Sequence, residues 1–542
     1  MKYKNIYLFF LVPCALGLVT CATRNQSLKK IFRYNESTGI ASLDPAFSKN
    51  QSTMWPVHQL FNTLVENDGD TKTKGSLAKN WDISPDGTEY VFHLRTDVVF
   101  HDNDAFAGGK GRKMTAADVE YSFKRIIDRK LASPGFYIFN NVVDSIDGFR
   151  AMNDSTFRLK LIKPHAPILQ ILKMTYCSIV PKEVVEKYGS DFRSHPCGTG
   201  PFRFVAWEEG LALIFKKNEN YFEKDSAGNR LPYLDGIKIT FNESKATEFL
   251  LFRQGQLDFL NDIDASFKDE ILTLKGELRD NWKDKVILQT HPYLNTEYFG
   301  FLVDTTNELL KNSPTRVKKL RQAMNYAIDR RKMILYLRNS LSSPAEHGFV
   351  PEGMPSFDTA VKGYNYDPEK AKELLIEAGF GNAGKIQPIK LYTIPIYGEI
   401  GSYLAKQFEE AGIPVTVEVV LRSFLFELTS NSRAPFFRGS WIADYADAFN
   451  YLSCFYSKNP APPNYTRYNN PGFDKLFEQS VAEPNDSIRY ILYRKADQVL
   501  IDDAPIIPLW YDRVIRLVQP DISGFDPNNL NWLELRRTVK SQ

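Results

Sequence analysis

Two carboxylates three residues apart, Asp444 and Asp447, stand among Trp441, Tyr445, Phe449 and Tyr451, with Arg438 a little upstream. An ionised acid walled by aromatic rings suits a positively charged amine. The rings lower the local dielectric, so the charge pair is worth more there than in water. Phe436 and Phe437 read as a short buried strand, and 448–456 as the start of a helix. The acids therefore fall on a strand-to-helix turn, where ligands are commonly met. A second reading stays open, in which Asp444 and Asp447 cap a helix over core aromatics. Arg438 either offers a two-pronged hydrogen bond to a carboxylate or pairs with Asp447 at the surface, and Arg422 and Arg433 are further candidates for the first role.

Other chemistry-bearing groups are less promising. His101 next to Asp102 resembles half of a catalytic pair, but no serine or cysteine with nucleophile-elbow spacing accompanies it. A hairpin-end position is the expectation. The Gly-rich run Cys197-Gly198-Thr199-Gly200-Pro201-Phe202 invites a phosphate, yet Pro201 removes an N–H and no GK[ST] comes after it, which favours a tight crossover between domains. Apolar positions Ala323, Met324, Ala327 and Ile328 make 321–330 a scaffold helix with Asp329 capping the next. Seven scattered His and the absence of CxxC or HExxH argue against zinc, and no cofactor is expected. An oxidising compartment allows a Cys177–Cys197 disulfide; free buried thiols are the equal alternative.

These groups must be positioned by more than one core, since 542 residues exceed what a single core holds. Charged residues are 25%, hydrophobic residues 43% and the net charge +3, with acids and bases interspersed, which excludes a nucleic-acid partner. Lys2 and Lys4 precede an apolar run, 6–19, too short to span a bilayer as a mature helix. Leu18-Val19-Thr20-Cys21 resembles a lipoprotein signal-peptidase box, so removal of 1–20 leaves Cys21 as a lipidated N-terminus on a soluble body outside the cytoplasm. Strands are expected at 27–34, 211–215, 237–241, 257–259 and 298–303, hairpins at 81–95 and 144–161, and a helix at 57–65. Thr115 caps a helix over 116–127, and Asp367 with Pro368 and Gly379 brackets another. Strands at 389–394 and 415–420 flank a helix at 400–411 in βαβ alternation, helices come next at 471–482 and 487–501, and 504–509 is a final buried strand.

The landmarks form an ordered set. They are Leu43-Asp44-Pro45; Leu77-Ala78 with Trp81 and Ser84-Pro85-Asp86-Gly87-Thr88; Phe100-His101-Asp102; Gly198 to Phe202; Arg321 to Arg330; Trp441 with Ala443-Asp444-Tyr445; and Ala504 to Leu509. Together they resemble the extracytoplasmic solute-binding proteins of the peptide and nickel ABC-transporter family, the dipeptide and oligopeptide receptors in particular. Ala448 stands where many members have Pro. The resemblance implies a two-lobed α/β fold of the large type II periplasmic-binding class with an inserted domain. Lobe I is then 21–67 with 198–290 and 504–542, the insertion 68–197 and lobe II 291–503. It implies a non-enzymatic, lipid-anchored, monomeric receptor that captures oligopeptides between closing lobes and delivers them to a membrane permease. Asp444 would hold the peptide ammonium, with Trp441, Ala443, Tyr445 and Arg438 beside it. Alternatives are the same fold with a nickel chelate, haem or oligosaccharide, or a secreted hydrolase.

Overall fold

Short-range signals set the first elements. The computed structural model describes residues 30–541, apart from 70, 145 and 382–385. The expected leader, 1–20, and the expected lipidation site, Cys21, lie outside the described residues. Strand β1 is Ile31–Asn35, and helix α1 is Gln51–Leu60. The sequence places that helix at 57–65. It starts earlier because the Asn50 side chain accepts from the Thr53 N–H while the Thr53 hydroxyl answers the cap residue's own N–H, a reciprocal cap that carries Pro56 as an interior residue.

The hairpin β2 (Ala78–Ile83) and β3 (Glu89–Leu94) leads to α2 (Ala116–Ile127), bounded as expected by a Thr115/Asp118 capping box. With β4 (Phe149–Asn153) and β5 (Thr156–Lys160) these strands make an antiparallel sheet of order β2-β3-β5-β4. Phe123 of α2 packs edge-on to Phe149 and Phe157, 5.5 Å from each ring, which fixes the helix to that sheet.

The 197–202 run is a crossover. A Cβ at Gly198 would meet the Leu60 carbonyl oxygen at 2.2 Å, and one at Gly200 the Leu60 carbonyl carbon at 2.4 Å, so only glycine fits either place. His101 is buried against the loop with Nε2 3.0 Å from the Gly200 oxygen, and burial pulls its pKa down to about 4, which keeps it neutral. Cys177 and Cys197 are free buried thiols, so the disulfide alternative does not hold. Strands β6 (Phe202–Glu208), β7 (Ala212–Lys217) and β8 (Gly236–Thr240) complete a sheet of order β1-β8-β7-β6, with β1 parallel to β8.

The second half is built on β9 (Phe259–Asn261), β10 (Ile287–Phe301), α3 (Lys318–Tyr326), α4 (Arg330–Arg338), α5 (Pro368–Glu377), β11 (Ile389–Thr393), α6 (Gly398–Glu410), β12 (Val415–Val419), α7 (Arg422–Ser430), β13 (Phe436–Ile442), α8 (Phe449–Leu452), α9 (Pro471–Ala482), α10 (Asp486–Asp503) and β14 (Ile506–Val518). Its sheet runs β9-β14-β10-β13-β11-β12, with β11 parallel to both β12 and β13. Arg321 and Arg330 turn inward and donate to backbone oxygens of Ala504 and Pro508 at 2.8 and 2.7 Å, so α3 and α4 clamp β14 as scaffold.

β10 and β14 are longer than their sequence suggests. Pairing runs from Ile287↔Val518 to Pro292↔Arg513, breaks, and resumes from Thr296↔Tyr511 to Gly300↔Ile506. The charges that look like strand ends are satisfied inside the fold. Asp512 accepts from Arg338 at 2.7 Å and Asn295 at 2.9 Å, and Arg516 donates to Asn531 at 2.8 Å and the Trp532 oxygen at 3.0 Å. Among the described residues no helix is long and apolar enough to cross a membrane.

Candidate functional site

β13 delivers the acidic turn. Held antiparallel to β10 from Phe301↔Phe436 to Asn295↔Ile442, it ends two residues before Asp444. The turn is then pinned by the Ala443 N–H on the Leu294 oxygen at 2.8 Å. One asparagine ties its two ends together. Asn450 accepts from the Trp441 ring N–H at 3.0 Å and the Asp444 N–H at 3.3 Å, and donates to the Asp444 carboxylate at 3.2 Å. The Tyr451 hydroxyl closes the loop on the Trp441 oxygen at 3.0 Å.

The two acids have opposite surroundings. Asp447 is buried, accepts from Arg489 at 3.1 Å, the Tyr493 hydroxyl at 2.7 Å and the Phe449 N–H at 2.9 Å, and so ties the turn to α10. Asp444 is half-buried and receives only neutral donors: Asn450, and the Tyr137 hydroxyl at 3.1 Å from a segment 307 residues away. No ion pair forms to it among the described residues. Burial pushes its carboxyl pKa up, and the Asn450 and Tyr137 hydrogen bonds oppose the shift without cancelling it.

Arg438 does not pair with Asp447. Its guanidinium pairs with Glu297 on β10 and lies 4.0 Å from the centre of the Tyr397 ring, whose hydroxyl donates to the same carboxylate at 3.1 Å. The surface pair with Asp447 does not form, because β13 points Arg438 across to β10 while Asp447 turns towards α10. Trp441 is partly buried. Tyr445 is buried among side chains of the N-terminal half, the same cluster that holds Phe202 and Ile168. Further contacts span the same seam. The Ala166 N–H bonds the Val481 oxygen at 2.9 Å, and His165 meets the Phe449 ring edge-on at 5.0 Å.

Asp444, Trp441, Ala443 and Tyr445 are thus brought together at a junction between chain segments, and Arg438 is drawn off to Glu297. Tyr137, Asn450 and Arg489 do not stand out in the sequence. Tyr137 comes from the first half of the chain, 307 residues from Asp444. Among the described residues no cluster of three or more His, Cys, Asp or Glu could hold a metal ion.

The family model for bacterial extracellular solute-binding proteins, family 5 (middle), matches residues 72–463. The chain belongs to this family. It is a solute-binding protein of the ABC-importer class, and its place is outside the cytoplasm. Heme-binding protein A of Haemophilus influenzae is 30% identical over 491 residues, covering 86% of this chain and 84% of that protein. The dipeptide-binding protein of Escherichia coli is 26% identical over 489 residues, covering 86% of each. Among solved structures, HbpA2 of Haemophilus parasuis superimposes with a TM-score of 0.81 at 22% identity over 94% of this chain and 100% of that one. DppA of Helicobacter pylori, in complex with the peptide STSA, gives 0.74 at 24% identity, covering 94% and 98%. These matches show the two-lobed mixed α/β fold expected from the sequence.

Proposed function

We propose that this family-5 protein captures peptides, with Asp444 holding the ligand ammonium. One observation carries the reading: a desolvated carboxylate, contacted among the described residues by neutral donors alone, at a junction between distant parts of the chain. An ammonium would supply the charge that Asn450 and Tyr137 do not. Trp441, Ala443 and Tyr445 line the place, while Arg438 keeps Glu297 neutralised beside it rather than receiving a ligand carboxylate. Relatives named for heme and for dipeptides leave the solute open at family level.

Lobe I would comprise 21–67, 198–290 and 504–542, the inserted domain 68–197, and lobe II 291–503. β10 and β14 join the lobes, and the break in their pairing between Pro292 and Thr296 is a natural bending point for closure over the ligand. We also assign Cys21 as the lipidated N-terminus, the protein acting as a tethered monomer that passes its solute to a permease. Incorporation of labelled fatty acid, lost in C21S, checks the anchor.

Titration calorimetry with di- to hexapeptides tests the central claim. Saturable one-to-one binding is expected, weakened by roughly 2–5 kcal/mol in D444A. Tight peptide binding that survives D444A would remove Asp444 from the account, and no heat with any peptide would remove the peptide.

A further inference from the structure

The β1-β8-β7-β6 sheet buries one face and shows the other to solvent. Phe32, Tyr34, Ile237, Ile239, Leu213 and Phe215 point into the core of the N-terminal half. The alternate residues fall in two rows across the strands. One row is Ile31, Gly236, Lys216 and Arg203. The other is Arg33, Lys238, Ile214 and Ala206, with Val205 on the bulge beside it. Lys216 and Lys238 are exposed, Arg203 is half-buried, and Val205 and Ile214 are 45% and 39% exposed.

Among the described residues Arg203, Lys216 and Lys238 form no ion pair, whereas Arg33 and Lys540 share the buried Asp258 at 2.6 and 2.7 Å. Acids stay off the two rows. Asp235 precedes β8 and accepts the Lys30 N–H at 2.9 Å, and Glu208 is the last residue of β6. Asp102, which feels the Arg203 charge, is paired with Lys110 at 3.0 Å. Unpaired cations with apolar side chains between them suit a layer of anionic lipid headgroups, where each cation meets phosphate and the apolar groups meet the boundary beneath.

Chain length points to the same occupant. β1 begins at Ile31, in the first row, and the sequence from Cys21 to Ile31 can reach at most about 35 Å. A lipid on Cys21 therefore keeps this edge of the sheet close to the bilayer. The intervening sequence adds Arg24, Lys29 and Lys30, further cations on the same side. We propose that the outer face of the β1-β8-β7-β6 sheet rests on the anionic surface of the membrane that holds the lipid. The inference rests on Cys21 as the anchor and adds how the body lies. The lipid keeps the protein at the membrane, and the sheet face orients it there.

The test is co-sedimentation of the C21S chain, without the leader, with vesicles of equal phosphatidylglycerol and phosphatidylcholine or of phosphatidylcholine alone. The chain is expected to adsorb to the anionic vesicles only, and to detach as salt is raised to about 0.5 M. K216E/K238E should weaken adsorption by at least roughly tenfold. K332E/K475E makes the same charge change on exposed lysines of the second half and should weaken it by less than roughly threefold. All four side chains are exposed, so folding is not at issue. No adsorption to anionic vesicles, adsorption to both kinds alike, or equal losses in the two variants overturns the face. Because this chain carries no lipid, such a failure leaves the Cys21 anchor intact. Failure of fatty-acid labelling at Cys21 removes the anchor, and with it the orientation, even where adsorption is seen.

Discussion

Asp444 and Asp447 share a turn, a composition and a neighbourhood of aromatic rings, yet the fold treats them as opposites. At Asp447 the chain supplies the countercharge from α10, two further hydrogen bonds and full burial. At Asp444 the described residues supply two neutral side-chain donors and no countercharge. A third carboxylate sharpens the contrast. Asp497, on α10, is buried with no ion pair among the described residues, accepts the Phe349 and Val350 N–H groups, and burial pushes its pKa up to about 7. A buried acid can be paired, can hold a proton, or can be left half-open for a partner the chain does not contain. Which of these applies is decided by residues far away in sequence.

The largest effect is expected where the countercharge is removed from the paired acid. R489M leaves Asp447 buried and uncompensated and should destabilise the protein by about 3–5 kcal/mol in denaturant unfolding. D447N/R489M should recover part of that loss, since the stranded charge is gone. A mild R489M would mean that Asp447 is open after all and erase the contrast. At Asp444 the order reverses. D444N should leave stability unchanged or slightly raised, because it relieves a desolvated charge, while peptide affinity falls. A D444N protein as unstable as R489M would make Asp444 a structural acid.

Asp497 gives a pH signature of its own. Its folded pKa lies above the unfolded carboxyl value near 4, so the folded state binds more protons between about pH 4 and 7, and this group's contribution to stability is lost as pH rises through that window. D497N should flatten this part of the stability–pH profile, by at most about 1.4 kcal/mol per pH unit. A profile identical to wild type would show that Asp497 stays ionised. Asp444, whose pKa is also raised, acts in the same direction, so its own protonation should release the ligand as pH falls.

Legibility in the sequence divides along the same line between near and distant partners. The caps at Thr115 and at Asp367 with Pro368 are written within a few residues, and α2 and α5 begin and end where those residues say. The Trp441 to Tyr451 run announces a candidate site because its members are neighbours in the chain. The full lengths of β10 and β14 are hidden because Asp512 and Arg516 look like strand ends until Arg338, Asn295 and Asn531 satisfy them. The split between Asp444 and Asp447 is hidden too, since Tyr137 and Arg489 are each distant. Arg438 reads as a receptor for a ligand carboxylate or as a surface partner of Asp447 because Glu297, its partner, sits on another strand.

The smallest effect is expected at Tyr137, and it tests the seam directly. Its hydroxyl is the Asp444 donor that comes from the other half of the chain. Y137F removes one hydrogen bond to a charged acceptor without altering packing, and Tyr137 is exposed enough that stability should hardly move. If the bond serves to orient an open carboxylate, peptide affinity should drop by about 0.5–1.5 kcal/mol. The loss should vanish in a D444N background, where the carboxylate it orients is absent. A Y137F loss of the same size with and without Asp444 would instead assign Tyr137 an independent contact with the ligand.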